Sequence, residues 1–558
     1  MAQDTAAIPT GQLWENPKVY NRRWLIMLTL VSGLIIVILD NTILNVALPS
    51  ISRQLGASQG QLTGAILSYA VVFGSFQFTA GVLGDRWGRR RVFLTGLLIF
   101  GVTSLAASQS KDPTQLIFWR AGMAVGAALI TPQTLSILTN VFPPKERGRA
   151  IGIWAGCTGA SLSLGPVLGG LLLDHFWWGS IFFINVPIVV VTIAATIVLV
   201  PESLNPNAGR FDPIGLVLSV VGLGSLIFGL VYGGESRDWS SFLSTGMIVA
   251  GLLVLVAFIA VEARLASPSF DVRFFKNPRF SAASIATAFG FFALFGVTFF
   301  LTFYFQFVKG LSPLQAGLAA LPSGLGQVIF APRAPKLVAR IGPKFTIAGG
   351  LTLLAISLGL YTTVNPGDPV WHVFIISFLT GTGLAHVVAP STESVMSSLP
   401  PQNAGAGAAV NNTTRQVSGA LGIAVFGTLL QVFYARNIAN ALEVLPETFR
   451  DEARKSIGDT FVAVQRLGVV DPKAAGQAAR ELFCGAGRAC ASGQAFVAGV
   501  HITSIIACTS ALIGAAIVLR YLPRRSAPDA GYLRQQRMSG EAPEATDTAA
   551  SAASDSVS

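Results

Sequence analysis

The chain has 558 residues, of which 52% are hydrophobic and only 12% are charged. Its apolar residues come in runs of roughly 20, the length that crosses the hydrocarbon core of a bilayer, which predicts an integral membrane protein. The formal net charge of +11 is spread over many short loops and is not gathered on one soluble segment, so it does not indicate nucleic-acid binding.

Fourteen apolar segments are candidate membrane spans, and together they predict an all-α polytopic protein. In chain order they are 24–45, 61–83, 92–108, 115–138, 151–173, 181–200, 213–232, 243–261, 282–305, 316–330, 345–363, 371–391, 408–434 and 496–519. The rest is an N-terminal segment, 1–23, a long loop, 435–495, and a tail, 520–558, whose Ala, Ser, Asp and Thr content predicts disorder.

Lysine and arginine residues concentrate in alternate loops, including 86–91, 145–149 and 333–344, and near both ends of the chain. The intervening short loops carry few of them. This asymmetry predicts an even number of spans with both termini in the cytoplasm and the 435–495 loop outside. No cleavable signal peptide is expected, since the polar stretch before the first span is long and no cleavage pattern follows.

Two halves of the chain repeat one pattern. Leu83, Arg86, Gly88 and Arg90 match Leu337, Arg340, Gly342 and Lys344, each pair 254 residues apart. This offset predicts two six-helix bundles, 24–200 and 281–519, with two inserted helices and a linker at 201–280. Paired halves are common in transporters with a central site that opens alternately to either side. Ala339 occupies the position that matches Asp85, so we expect an asymmetric gate.

The segment from Gly81 to Arg91 reads GVLGDRWGRRR and joins the second and third spans. Glycines at 81, 84 and 88 permit a tight turn, and a carboxylate such as Asp85 can accept bonds from backbone amides at a helix start and pair with arginines. The excess of positive charge that is usual in cytoplasmic loops is enough to explain several arginines, which include Arg86, Arg89 and Arg90. It does not explain Asp85.

Asp40 and Arg120 interrupt otherwise apolar spans, where ionisable residues are costly and usually functional. A rise of about 1.5 Å per residue places both at similar depth in the outer half of the membrane. A charge pair, or a proton site tuned by a nearby cation, is therefore geometrically allowed. The alternatives are a helix-end carboxylate at the headgroups and an arginine that extends to the outer surface.

Small residues mark the fifth span, where Gly159, Gly165, Gly169 and Gly170 allow close helix packing and Pro166 bends the helix. A polar cluster in the thirteenth span contains Asn411, Asn412 and Arg415. Either this cluster lines a cavity, or the span begins later and the cluster lies at the inner surface. Other candidate cavity residues are Asn41, Gln306 and His386, and a packing role is an equal alternative for the histidine.

These motifs resemble those of the major facilitator superfamily, in particular its fourteen-span drug/proton antiporter branch. The resemblance rests on LDNTILNVALP (39–49), GVLGDRWGRR (81–90), Arg120, SLGPVLGG (163–170), FINVP (183–187), GLSPLQAGLAALP (310–322) and NNTTRQVSGALG (411–422). It implies that the Asp85 cluster, with Arg147 and Arg149, closes the cytoplasmic side. It also implies that the fifth-span glycine motif belongs to a proton-coupled exporter.

The expected function is export of drugs or other lipophilic or cationic compounds across the cytoplasmic membrane, driven by the proton gradient. Asp40 is then the expected proton-coupling carboxylate and Arg120 the cation that tunes it. A dedicated exporter of a siderophore, amino acid or lipid is the nearest alternative, and a non-transporting receptor or scaffold is a more distant one. No enzyme site, metal site, cofactor or nucleic-acid partner is expected. Accessory envelope proteins cannot be assigned from the sequence.

The four cysteines divide into two groups. Cys157 and Cys508 fall within spans and are expected to be packing residues. Cys484 and Cys490 lie in the 435–495 loop, where either a disulfide or two free thiols is consistent with an oxidising compartment.

Overall fold

Long helices dominate this computed structural model, which describes residues 13–55, 59–204, 212–236, 238–265, 272–399, 403–483 and 490–523. Thirteen helical segments within these ranges are long and apolar enough to cross a membrane. A shorter apolar helix, Leu314–Phe330, brings the set to the fourteen predicted spans. The all-α polytopic fold class is confirmed. Cys484 and the residues after 523 lie outside the described ranges.

The first half of the chain forms seven helices. They are α1 Pro17–Leu55, α2 Gln59–Trp87, α3 Arg89–Ser108, α4 Pro113–Val141, α5 Pro144–His175, α6 Ser180–Phe183 and α7 Asn185–Leu199. The predicted span 181–200 is thus divided between α6 and α7. Helices α1 to α5 each extend past the predicted span at one or both ends, because helical hydrogen bonding continues into polar residues beyond the apolar run.

Two helices follow, α8 Pro213–Ser236 and α9 Met247–Glu262. They pack against the bundle from outside: Phe258 of α9 meets Phe78 of α2 with ring centroids 5.5 Å apart. Trp239, between the two helices, donates from Nε1 to Thr428 Oγ1 over 2.8 Å. The inserted helices therefore contact both halves of the chain.

The second half contains α10 Pro278–Phe303, α11 Pro313–Phe330, α12 Ala334–Leu360, α13 Val370–Met396, α14 Ala404–Ile438 and α18 Ala491–Tyr521. The predicted long loop is largely helical, with α15 Glu447–Ala453, α16 Ile457–Val470 and α17 Pro472–Leu482. Polar residues start several of these helices. Ser312 and Gln315 form a reciprocal capping box at α11, for example, with Pro313 in its first turn.

The internal repeat is visible in the backbone. Gly88 separates α2 from α3 with φ of +105°, and Gly342 breaks α12 with φ of +85°. Residues that carry a side chain rarely adopt a positive φ, so glycine suits both positions. The predicted match between Gly88 and Gly342 therefore corresponds to the same helix break in each half.

Two large apolar clusters fill the interior. One lies mainly in the first half, around Phe93, Trp154 and Phe182, and also takes in Phe291 and Leu384, whereas the other includes Ile347, Tyr361 and Phe496. The halves meet where α2 packs on α14 and where α5 packs on α11. The loop after α2, the start of α5, the turn between α11 and α12, and the start of α14 lie at one end of the bundle, which we call the basic end.

Candidate functional site

Asp40 of α1 and Arg120 of α4 form an ion pair in the protein interior. The distance from Arg120 Nη1 to Asp40 Oδ2 is 2.5 Å, and each side chain is 1% exposed. Both groups are enclosed by protein, so neither extends to the surface as the alternative interpretations required. The structure thus contains a charge pair, which also places a cation directly beside the Asp40 carboxylate.

Neighbouring polar groups hold the pair in place. Asn185, the first residue of α7, donates from Nδ2 to Asp40 Oδ1 over 3.2 Å and lies 3.1 Å from Ser104 Oγ. The Arg120 guanidinium carbon lies 4.2 Å from the ring centroid of Tyr69, a favourable cation–π geometry. Neither Asn185 nor Tyr69 is predicted from the sequence to lie in this site, although Asn185 belongs to the FINVP motif.

Asp85 joins the two halves at the basic end. Its Oδ1 accepts from the side chain of Arg89, with Nη2 at 2.6 Å, and from the backbone N–H of Gly405 at 2.9 Å. Its Oδ2 accepts from the N–H of Ala406 at 2.9 Å. A carboxylate of α2 therefore caps the first turn of α14. The expected bonds of Asp85 to amides at a helix start and to an arginine are present.

The glycines of the Asp85 segment allow close contacts. A Cβ on Gly81 would lie 2.6 Å from the Cβ of Ala409, and a Cβ on Gly84 would overlap the amide of Gln133. Gln133 Nε2 in turn donates to the Ala80 carbonyl over 2.8 Å. A larger residue at Gly81 would therefore force α2 away from α14, and one at Gly84 would displace the Gln133 side chain.

Glu202, just after α7, also organises the loop after α2. It accepts from the N–H of Arg90 at 3.1 Å and lies 3.6 Å from Arg91. Arg90 Nη2 donates to the carbonyl of Ile197 over 2.7 Å, while Arg86 is half-buried at the end of α2. Because Glu202 is distant in sequence, the loop motif gave no signal for it.

Arg147 and Arg149 contact other groups at the basic end. The Arg147 guanidinium interacts electrostatically with Glu393 of α13, and the Arg149 guanidinium carbon lies 5.2 Å from the Trp24 ring centroid. Arg149 and Glu393 line a cavity of about 660 Å³ together with Lys145, Arg333 and Lys336. The predicted cluster thus forms two neighbouring groups, one around Asp85 and one around Glu393.

The glycine motif of α5 faces two helices. Gly165 and Gly169 pack on Thr42 and Ile43 of α1. Toward the other half, Gly159 faces Gln327 of α11. Further along the same helix a Cβ on Gly170 would lie 3.2 Å from Leu314 Cβ, and a Cβ on Gly317 would lie 3.0 Å from Pro166 Cβ. Helix α5 thus joins α1, which carries Asp40, to the second half.

Arg415 lies between the halves. Its Nη2 donates to Thr392 Oγ1 over 2.7 Å. Its guanidinium carbon is 4.7 Å from the ring centroid of Trp154 on α5 and 5.0 Å from that of Phe291 on α10. Helix α14 begins at Ala404, four residues before the predicted span, and Arg415 is buried inside the protein, not exposed at its surface.

The remaining cavity candidates lie in different surroundings. Asn411 and Asn412 are buried beside Arg415, whereas Asn41 is exposed and Gln306 is half-buried. His386 Nδ1 lies 2.8 Å from the Thr382 carbonyl, and its ring packs near Phe330. Hydrogen bonding and packing therefore account for His386, which leaves Asn411, Asn412 and Arg415 as one polar cluster.

Known proteins share this sequence pattern and fold. The Major Facilitator Superfamily model matches residues 30–423. The chain is 30% identical to the tetracenomycin C resistance and export protein of Streptomyces glaucescens, over 91% of this chain and 93% of that protein. It is also 30% identical to the multidrug efflux pump LfrA of Mycolicibacterium smegmatis, over 89% of this chain and 96% of the pump.

A solved structure confirms the fold independently. The crystal structure of the human organic anion transporter MFSD10 aligns with a TM-score of 0.59, covers 90% of this chain and all of its own, and is 15% identical. At that identity the likeness concerns the fold alone. The chain therefore belongs to the major facilitator superfamily and is a multi-pass membrane transporter, not an enzyme.

Proposed function

We propose that this transporter exports drugs across the cytoplasmic membrane in exchange for protons, with both termini and the basic end on the cytoplasmic side. Two relatives with about 30% identity over nearly the whole chain are named for drug export or efflux, which supports the drug-export part. The buried Asp40–Arg120 pair is the observation that supports proton coupling.

Protonation of Asp40 would change the balance of forces at this pair. An ionised carboxylate attracts Arg120, while a neutral one retains only a weaker hydrogen bond. Arg120 can remain on the Tyr69 ring when the attraction weakens. Proton binding would therefore loosen α1 from α4. Since Gly165 and Gly169 of α5 pack on α1, this displacement would reach the contact between α5 and α11.

The bonds of Asp85 to α14 would act as the cytoplasmic gate in this cycle. They exist only while α2 and α14 remain together, so they stabilise the conformer that is closed at the basic end. A ligand or proton that favours the other conformer shifts the population by its differential binding energy. The proton motive force supplies the driving energy, and no cofactor takes part.

The test is dye efflux from energised cells that express the intact chain or Asp40→Asn at equal levels. We expect rhodamine 123 efflux that depends on the proton gradient, stops when a protonophore is added, and falls by at least tenfold in Asp40→Asn. Asp174→Asn, which changes an exposed carboxylate at the end of α5, is the matched control and should retain efflux.

The other outcomes are also informative. Unchanged gradient-driven efflux in Asp40→Asn would exclude Asp40 as the coupling group. If no drug or dye moves under any gradient, drug export is wrong, and a dedicated exporter of an endogenous metabolite becomes the better hypothesis.

A further inference from the structure

Arg415 differs from the other buried charges in its surroundings. Asp40 faces Arg120, Asp85 faces Arg89, and Arg147 faces Glu393. Arg415 is 8% exposed, and within the described part of the chain it has no carboxylate partner. Its neighbours are the Thr392 hydroxyl and two aromatic rings. A buried charge without an opposite charge is costly, so it calls for a functional explanation.

Unused hydrogen-bonding groups surround this arginine. Among the described residues, Nε of Arg415, both side-chain polar atoms of Asn411 and Nδ2 of Asn412 have no hydrogen-bond partner. Asn411 is 1% exposed and Asn412 is 5% exposed. They precede Arg415 by four and three residues, which places all three side chains on one side of α14. The site therefore offers several donors and one positive charge without a bound acceptor.

The polar cluster of Asn411, Asn412 and Arg415 lies at the contact between the two halves, where a substrate could reach it. Arg415 belongs to the second half of the transporter, whereas Trp154, which covers one face of its guanidinium, belongs to the first. Trp154 is held in that half by a hydrogen bond from Nε1 to Thr134 Oγ1 over 3.1 Å. If the halves separate during transport, Trp154 would move with α5 and uncover the guanidinium.

We infer that Arg415, Asn411 and Asn412 bind an ionised acidic group, such as a carboxylate or phenolate, on an aromatic substrate. This inference rests on the proposed export function and adds one substrate class to it, acidic aromatic compounds, besides cationic dyes such as rhodamine 123. The guanidinium and amide groups supply charge-assisted hydrogen bonds to the anion. The substrate ring occupies the place on the guanidinium that Trp154 vacates, beside Phe291. A cationic group at the same position is repelled by Arg415.

Fluorescein and rhodamine 123 provide the test, because they share a xanthene ring system and carry opposite charges. Binding of each dye to the purified full-length protein in detergent is measured by fluorescence anisotropy without any gradient. We expect fluorescein to bind the unmodified protein and to bind Arg415→Gln about tenfold or more weakly. Rhodamine 123 affinity should change less than twofold or increase.

Two further variants separate charge recognition from structure. Arg415→Lys keeps the charge but loses the planar donor group, so its fluorescein affinity should fall between those of the unmodified protein and Arg415→Gln. Arg436→Gln removes an exposed arginine from the same helix and should leave both affinities unchanged. Arg415→Gln should remain folded, because no buried carboxylate loses its partner, and its elution profile and thermal midpoint check this.

An equal loss of affinity for both dyes in Arg415→Gln would overturn the inference and assign Arg415 a structural role in holding Trp154. Failure of fluorescein to bind the unmodified protein would also overturn it, even where rhodamine 123 efflux persists. Absence of drug and dye efflux in cells would instead contradict the proposed export function, so the two failures are distinguishable.

Discussion

The pair of Asp40 and Arg120 is buried more completely than most ion pairs. Taking two opposite charges out of water costs several kcal/mol each, and mutual attraction repays this only with close geometry and further hydrogen bonds. The 2.5 Å contact and the bond from Asn185 supply both. These contacts offset the desolvation cost only while both charges are present, so the loss of either charge should weaken the site.

This reasoning gives a prediction about stability. Arg120→Leu leaves Asp40 buried without its cation, which typically costs about 3–5 kcal/mol. The double variant Asp40→Asn/Arg120→Gln replaces both charges with neutral hydrogen-bonding groups and should be less destabilised than Arg120→Leu. Thermal midpoints in one detergent provide the comparison. A double variant that is less stable than Arg120→Leu would show that the pair itself supplies net stability.

At this scale the sequence predicts which charged residues lie inside the protein better than it predicts their partners. Asp40, Arg120 and Asp85 were identified because charge inside an apolar helix is rare. Tyr69 and Glu202 were missed, since an aromatic residue in a span and an acid in a loop are common and become informative only when folding brings them beside an arginine.

Helix α5 shows how the small residues of one element connect two neighbours. Gly165 and Gly169 face α1, while Gly159 and Gly170 face α11. The sequence predicted close packing from the glycine spacing. It could not assign the partners, because spacing along one helix carries no information about which helix lies on each side.

A valine at Gly152 should disturb the contact between α5 and the turn that joins α11 to α12. A Cβ at Gly152 would lie 3.0 Å from the Cα of Pro332 and closer still to the Ala331 carbonyl, so the backbones would have to separate. We expect Gly152→Val to reduce rhodamine 123 efflux at least tenfold. Gly349→Val on α12, where no atom lies within 4 Å of the added Cβ, is the matched control. Equal efflux from the two variants would exclude a role for this contact in transport.

The whole molecule consists of two halves with corresponding helix breaks at Gly88 and Gly342. The repeat in the sequence predicted this correspondence, and the left-handed φ values of both glycines reveal it in the backbone. The halves differ where Asp85 is matched by Ala339, so only the first half contributes this carboxylate to the contact with α14.

Membrane orientation is a prediction at the same scale. The lysines and arginines of the basic end are expected to face the cytoplasm. In a parent chain with Cys157 and Cys508 replaced by alanine, a membrane-impermeant maleimide should label Lys336→Cys only after cells are opened. It should label Asp451→Cys in intact cells, above the background of the parent. The reverse pattern would invert the topology.

The Asp85 carboxylate of α2 accepts hydrogen bonds from the first-turn N–H groups of α14, a role that an N-cap residue next to the helix usually has. If the halves separate at the basic end, as the proposed gate requires, the N–H groups of Gly405 and Ala406 would lose their acceptor, and a buried amide without one is strongly disfavoured. Water would then have to enter the cleft to replace the carboxylate. Opening at this end would therefore require hydration, and a dehydrated open conformer should not be populated.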